Sequence, residues 1–232
     1  MDQRRGFSAL RLVPILAGVS DASLERVARA CKWQEFEVGE QLVEYQDASK
    51  DVFFLTAGKL RVIVYSLEGK AVQFTDLKPG VMFGEIAAID RAARSAGVEA
   101  IETSTVASLT ADQFEELLLR EPRVAVATLK HVVAEVRRLS ERVVEFSTLA
   151  VQNRIQAELL RLAADAAKDA GALLSPAPSL ADIAERISTH REAVSRELSR
   201  LASMGLIRRE GTSLRIVDVA RLARLVREVK GE

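Results

Sequence analysis

The apolar residues change their period twice along the 232-residue chain. Over Asp21–Ala30, Leu24 and Val27 share one face of a short helix. From residue 31 to about residue 110 the pattern becomes short runs rich in Val, Phe, Ile and Thr, such as Asp51–Thr56 and Leu60–Ser66. Gly39, Gly58, Gly69 and Gly80 separate these runs. Turn residues at such regular spacing predict an all-β sandwich or roll. A parallel α/β fold would need a helical pattern after each strand, and none is present.

From Ala111 onward the period is helical. Leu129, Val132, Val136, Leu139, Val143, Phe146 and Ala150 recur alternately three and four residues apart, flanked by Arg137, Arg138, Glu141, Arg142 and Glu145. One long helix lying on its own β domain is an alternative, but a narrow apolar stripe with charged flanks favours pairing with an identical helix, as a parallel homodimer. A further helix is expected from Gln152 to Ala170, with Ile155, Leu159 and Leu162 on one face, and residues 170–178 read as a connecting segment. Ser179, with Asp182 three residues on, then opens a helix whose apolar face is Leu180, Ile183, Ala184 and Ile187. After a break at Ser188-Thr189-His190, a second helix runs to about Ala202 with Val194, Leu198 and Leu201 inward. Two short helices joined by so short a turn describe a helix-turn-helix. A final amphipathic helix is expected at Val219–Val229.

Charge changes this picture only through its placement. The chain has 33 basic and 33 acidic residues, which argues against coating nucleic acid by bulk electrostatics. Residues 151–232 nevertheless hold 14 basic against 11 acidic, and residues 1–150 hold 19 against 22. The single cysteine, Cys31, excludes a disulfide framework and any iron–sulfur cluster or all-cysteine zinc site held by this chain alone. His131 and His190 lie far apart with no nucleophile partner in sequence, so no catalytic site, metal or haem is expected. No apolar run reaches the length of a membrane span, and the first residues lack a signal-peptide pattern, so a soluble cytoplasmic protein is expected.

Two segments carry chemistry. The first is Phe83-Gly84-Glu85-Ile86-Ala87, followed by Arg94-Ser95-Ala96. Gly84 lets backbone approach a ligand, Glu85 can accept from ribose hydroxyls, and Arg94 presents a donor fork suited to phosphate. From spacing alone, an internal Glu85–Arg94 ion pair is an equal alternative. The segment resembles the phosphate-binding cassette of cyclic-nucleotide-binding domains. The resemblance implies that Glu85 holds the ribose 2′-hydroxyl, that Arg94 and Ser95 hold the cyclic phosphate, and that Gly84, Ile86 and Ala87 add backbone contacts. In family members that bind cyclic AMP, a Thr-Ser pair on the dimer helix meets the adenine. The matching positions here are Leu139-Ser140, so the serine is kept and the threonine is not. Cyclic AMP is therefore placed first and cyclic GMP second. Cyclic dinucleotides rank lower because the Arg-Ser pair suits one cyclic phosphate, and a pocket that binds nothing stays open.

The second segment is the helix opening at Arg191. Arg191, Glu192, Ser195 and Arg196 share one sector, apart from Val194, Leu198 and Leu201. Arginine can pair with guanine and glutamate with cytosine in the major groove, although a plain charged helix face would look the same. Arg191-Glu192 and Arg196 resemble the recognition helix of the CRP/FNR regulators, closest to the catabolite activator branch, with Thr189 and His190 at its threshold. Leu206-Ile207-Arg208-Arg209 and Leu214-Arg215-Ile216-Val217, joined around Gly211, would form a wing. The departures are Ser188, where the turn usually has glycine, and Ala193, where threonine is usual. The resemblance implies an α+β fold. Residues 1–122 would form a cyclic-nucleotide-binding β-roll of jelly-roll type, 123–150 a dimerisation helix and 151–232 a winged helix-turn-helix. It further implies a homodimer through the 129–150 helix, palindromic DNA with TGTGA-like half-sites, and a contact with RNA polymerase. No membrane partner is expected. A constitutive DNA-binding dimer with a silent pocket is the rival expectation.

Overall fold

The computed structural model describes residues 3–65, 71–164, 167–168 and 171–230, so Ser66 and Gly69 lie outside the described residues. The chain divides into two compact units, Met1–Val136 and Arg137–Glu232.

The first unit opens with α1 (Gln3–Leu10), which sequence periodicity did not reveal, and α2 (Asp21–Ala30), which falls where the pattern put it. Ser20 caps α2 by accepting from the Ser23 amide at 3.2 Å. The strands are β1 (Lys32–Phe36), β2 (Gln41–Val43), β3 (Val52–Tyr65), β4 (Ala71–Leu77), β5 (Met82–Phe83) and β6 (Gly97–Leu109). They form one antiparallel sheet in the order β1-β6-β3-β4, with β2 added on β6 and β5 on β3. The runs at Asp51–Thr56 and Leu60–Ser66 belong to one strand, not two. Gly58 at φ +83° kinks β3 without ending it, and a Cβ there would sit 2.3 Å from the Thr103 carbonyl oxygen. The alternation of the strand explains the two cores beside it. Phe54 packs with Leu10, Leu24, Phe114 and Val124 from the helices, whereas Phe53 packs with Leu55, Phe83, Val98 and Val106 inside the roll. Between β5 and β6 lies α3 (Glu85–Asp90), and after β6 come α4 (Ala111–Arg120) and α5 (Pro122–Thr148). A capping box between Thr110 and Gln113 starts α4.

The second unit begins inside α5 and continues with α6 (Val151–Ala164), β7 (Ala167–Lys168), β8 (Gly171–Leu174), α7 (Leu180–Arg186), α8 (Arg191–Ser203), β9 (Ile207–Glu210), β10 (Ser213–Ile216) and α9 (Val219–Lys230). Two expectations are corrected here. The helix expected to reach Ala170 ends at Ala164, and the segment read as a connection contains β8. Leu174 and Ala172 pair with Leu214 and Ile216 of β10, so pairing across the sheet overrides the loop-like local composition. The wing is thus half of a four-stranded sheet, β7-β8-β10-β9. Ile155, Leu159, Ile183, Val194, Leu201, Leu206 and Leu222 build one core from α6, α7, α8, α9 and the residue before β9.

Candidate functional site

Strand β5 delivers the chain to Gly84, whose φ of +82° turns it into α3. A Cβ at Gly84 would lie 2.8 Å from Arg94 Nη1 and 2.8 Å from the Asp51 carbonyl oxygen, so the glycine makes room for the arginine. Arg94 is 2% exposed. Its Nε donates to Ser49 Oγ at 3.1 Å, Nη1 to the Gly84 carbonyl at 3.1 Å and Nη2 to the Asp51 carbonyl at 2.9 Å. Its guanidinium lies 5.5 Å from the Phe53 ring centroid, and that ring stacks on Phe83. Burial pulls its pKa down, and the charges of Asp51, Asp47 and Glu85 oppose that shift. Among the described residues no carboxylate touches Arg94, so the internal ion pair with Glu85 that spacing allowed is not formed. Glu85, 5% exposed, instead meets His131 of α5, with Oε1 3.5 Å from Nε2. That contact raises the His131 pKa from its ordinary 6.5, against the effect of burial. Sequence offered no local signal for this pair, because its members sit on elements far apart in the chain.

Around these two charges the cassette is mixed in exposure. Ser95 and Ile86 are exposed and Ala87 is buried. Arg91, at φ +59°, closes α3 and reaches Asp112 and Glu115 of α4 at 2.8 and 2.6 Å.

On α5, Leu139 and Ser140 are both exposed. So are Leu129, Val136, Val143 and Phe146 of the expected seam, whereas Val132 is half-buried and Ala150 lies past the helix end. The exposed stripe is completed by Val126 and Val133, which the sequence pattern did not single out. With Leu129, Val136, Ser140 and Val143 these keep the alternation of three and four, so Ser140 falls on the stripe.

The helix-turn-helix is built as its caps dictate. Ser179 and Asp182 form a reciprocal capping box at the start of α7. The turn passes through Ser188 at φ +50°, a left-handed position for a residue with a Cβ. Thr189 is half-buried, its amide donating to the Ala184 carbonyl at 2.9 Å. His190 is exposed and sits at the N-cap of α8 without a side-chain capping bond. Arg191, Glu192, Ser195 and Arg196 are all exposed, opposite the fully buried Val194 and Leu201. Among the described residues Arg191, Glu192 and Arg196 make no ion pair. The other α8 arginine, Arg200, is held by Glu197 at 2.7 Å. Glu197 is 5% exposed and takes a second bond from Gln156 of α6, also at 2.7 Å. Its place was legible, since it follows Val194 by three and precedes Leu201 by four, on the packing face.

Among the described residues no group of three His, Cys, Asp or Glu side chains is placed to hold a metal. No helix there is long and apolar enough to cross a membrane. Burial pushes the Cys31 thiol up to about 12, which keeps it protonated.

The family model for the cyclic nucleotide-binding domain matches residues 33–121, and that for the Crp-like helix-turn-helix domain matches residues 153–225. A CRP-like cAMP-activated global transcriptional regulator of Mycobacterium tuberculosis is 24% identical, over 92% of this chain and 96% of that protein. A cyclic AMP receptor protein of Thermus thermophilus is 27% identical, over 84% of this chain and 88% of that protein. The solved structure of CLP, a c-di-GMP responsive global regulator of Xanthomonas campestris, shares the fold with a TM-score of 0.72 at 16% identity, covering 84% of this chain and 98% of that one.

Proposed function

Because the chain belongs to the CRP/FNR superfamily of transcription regulators, we propose that it is a cyclic-nucleotide-responsive homodimer that binds a palindromic operator. Nucleotide in the β-roll would shift the two arrangements of the helix-turn-helix domains through its differential affinity for them. The observation that carries the reading is Arg94, a buried guanidinium bonded to neutral oxygens, beside the buried carboxylate Glu85. A cation so placed suits a cyclic phosphate, and Glu85 suits a ribose hydroxyl. Ser95 would add a hydroxyl to the phosphate, and Gly84, Ile86 and Ala87 backbone contacts. Cyclic AMP is the first candidate, supported by the names of the Mycobacterium and Thermus relatives, and cyclic GMP the second. Leu139 cannot hydrogen-bond a purine amino group, which leaves Ser140 alone for base contact on α5.

The exposed apolar stripe of α5 supports the homodimer. On α8, Arg191, Glu192 and Arg196, exposed and outside any ion pair among the described residues, support base reading, with Thr189, His190 and Ser195 at its edge. A two-fold dimer would set two recognition helices in successive major grooves, about 34 Å apart, on TGTGA-like half-sites. RNA polymerase is the expected further partner, the cytoplasm the expected compartment, and no residue is assigned a catalytic role.

The deciding experiment is operator-binding anisotropy titrated separately with cyclic AMP, cyclic GMP and cyclic di-GMP. Tighter operator binding with one cyclic mononucleotide is expected. Identical affinity in all conditions would instead establish a constitutive dimer. Arg191→Ala or Arg196→Ala should each cost about 1–3 kcal/mol of discrimination between operator and scrambled DNA. Full discrimination in either variant would remove that residue from base reading.

A further inference from the structure

Two residues beyond Ser140, one face of α5 becomes bonded to the DNA-reading module, while Val143 and Phe146 on its other side remain exposed. Arg142 Nη1 donates to Glu158 Oε2 of α6 at 3.0 Å, and its Nη2 donates to the carbonyl of Arg186, the last residue of α7. Glu158 is 3% exposed and also takes Arg161 Nε at 3.0 Å and Arg186 Nη1 at 3.5 Å. Arg161 returns to α5 through a fork on Glu145 at 2.8–3.2 Å. One turn on, the Phe146 ring meets both Arg142 and Arg154, whose guanidinium carbons lie 5.3 and 5.0 Å from its centroid. From α6, Gln156 donates to Glu197 on the packing face of α8 at 2.7 Å.

A bonded path therefore runs from α5 to the end of α7 and, through α6, to the recognition helix. Arg142 joins both branches to α5, because its planar fork spans a carboxylate and a helix C-terminal carbonyl together. Buried ion clusters add little net stability over apolar packing of the same volume, but they fix one relative geometry. That favours a positioning role over a purely stabilising one.

We propose that Arg142 is the positioning residue through which α5 sets the orientation of the recognition helix. A displacement of the Leu139-Ser140 segment is delivered to α7 and α8 through its fork. The inference rests on the nucleotide-responsive reading above and deepens it.

The test compares the unaltered protein with Arg142→Met and Arg142→Lys. Operator affinity is measured with and without saturating cyclic AMP or cyclic GMP, and nucleotide binding is followed by isothermal titration. Both variants should still bind nucleotide, while the ratio of the two operator affinities falls at least about fivefold towards one, less for Lys than for Met. A merely structural role would weaken operator binding equally in both conditions and leave the ratio unchanged, which would overturn the proposal. If the Met variant does not fold, the ratio measured on the Lys variant decides in the same way. A measurement on the unaltered chain stands beside them: nucleotide should change amide hydrogen exchange over residues 184–191 at least about threefold, and no change there would also overturn the proposal. If the unaltered protein binds nucleotide without any change in operator affinity, it is the nucleotide-responsive reading that fails, and this inference fails with it.

Discussion

Each unit buries an ionic centre, and the two are built in opposite ways. In the first, Arg94 is enclosed by a hydroxyl and two carbonyls, with no carboxylate in contact among the described residues. In the second, Glu158 is enclosed by Arg142, Arg161 and Arg186. A buried charge left without an opposite charge is costly unless something else supplies one, so the first centre suits an anionic ligand. A buried charge surrounded by opposite charges has no further need of a partner. Its energy is tied to one arrangement of helices, so the second centre suits mechanics.

The largest expected effect tests the second half of this contrast. Glu158→Ala removes the carboxylate shared by three guanidinium groups and leaves them crowded and mutually repelling. It should destabilise the second unit by about 3–5 kcal/mol, read by urea unfolding of the variant against the unaltered chain. A loss below about 1 kcal/mol would mean that the three arginines relax into solvent and that the centre does not constrain the helices.

The first half predicts a smaller loss, expressed in binding. Arg94→Ala should weaken cyclic nucleotide binding by about 1.5–3 kcal/mol, the contribution of a charge-assisted hydrogen bond. Isothermal titration giving the same dissociation constant as the unaltered chain would sink the phosphate assignment. The same centre also makes a glycine-specific prediction, since a Cβ at residue 84 collides with Arg94 Nη1. Gly84→Ala should therefore lower nucleotide affinity in the same direction as Arg94→Ala.

The contrast also explains what was legible in sequence. The cassette could be read because its residues are nearly contiguous, and α2 and α7 because their caps and apolar faces are local. The helix-turn-helix was visible for the same reason. Gly58 misled, because a left-handed glycine inside a bulged strand has the same letter as one in a turn. Residues 171–174 misled because their strand character comes from pairing with β10. The ionic centre of the second unit was not legible as such. Arg142 and Glu145 read as solvated flanks of a seam, since nothing local reveals that α6 and α7 close over them. The partner of Glu85 was invisible for the same reason.

Between the two units' extremes of burial lie local features of smaller effect. Ser188 holds φ +50° in the turn before α8, where a Cβ crowds the backbone. Ser188→Gly should stabilise the second unit by about 0.5–1 kcal/mol, the relief of left-handed strain less the extra flexibility of glycine when unfolded. Urea unfolding would show it as a higher midpoint at unchanged slope. A lower midpoint would mean that the serine side chain stabilises the turn in a way that outweighs its backbone.

The Glu85–His131 pair is the weakest of these contacts, at 3.5 Å with the His131 side chain 28% exposed. It is also a buried carboxylate contact whose partner is a histidine. The His131 pKa is raised in the folded protein above its ordinary 6.5, chiefly by the bond to Glu85. A raised folded value means that the stability it contributes is fully present below the unfolded pKa and is lost as pH rises through the folded one. Charges facing His131 are Glu85 from α3 and Glu135 from its own helix, and both act in that direction. The thermal midpoint of the unaltered chain should therefore exceed that of His131→Gln at about pH 6, below the ordinary 6.5, and the gap should narrow as pH rises above it. A gap that is constant or widens with pH would show that His131 acts as a neutral hydrogen-bond partner. Glu85 would then be a second buried charge held without an opposite one, and the contrast between the two units would be sharper still.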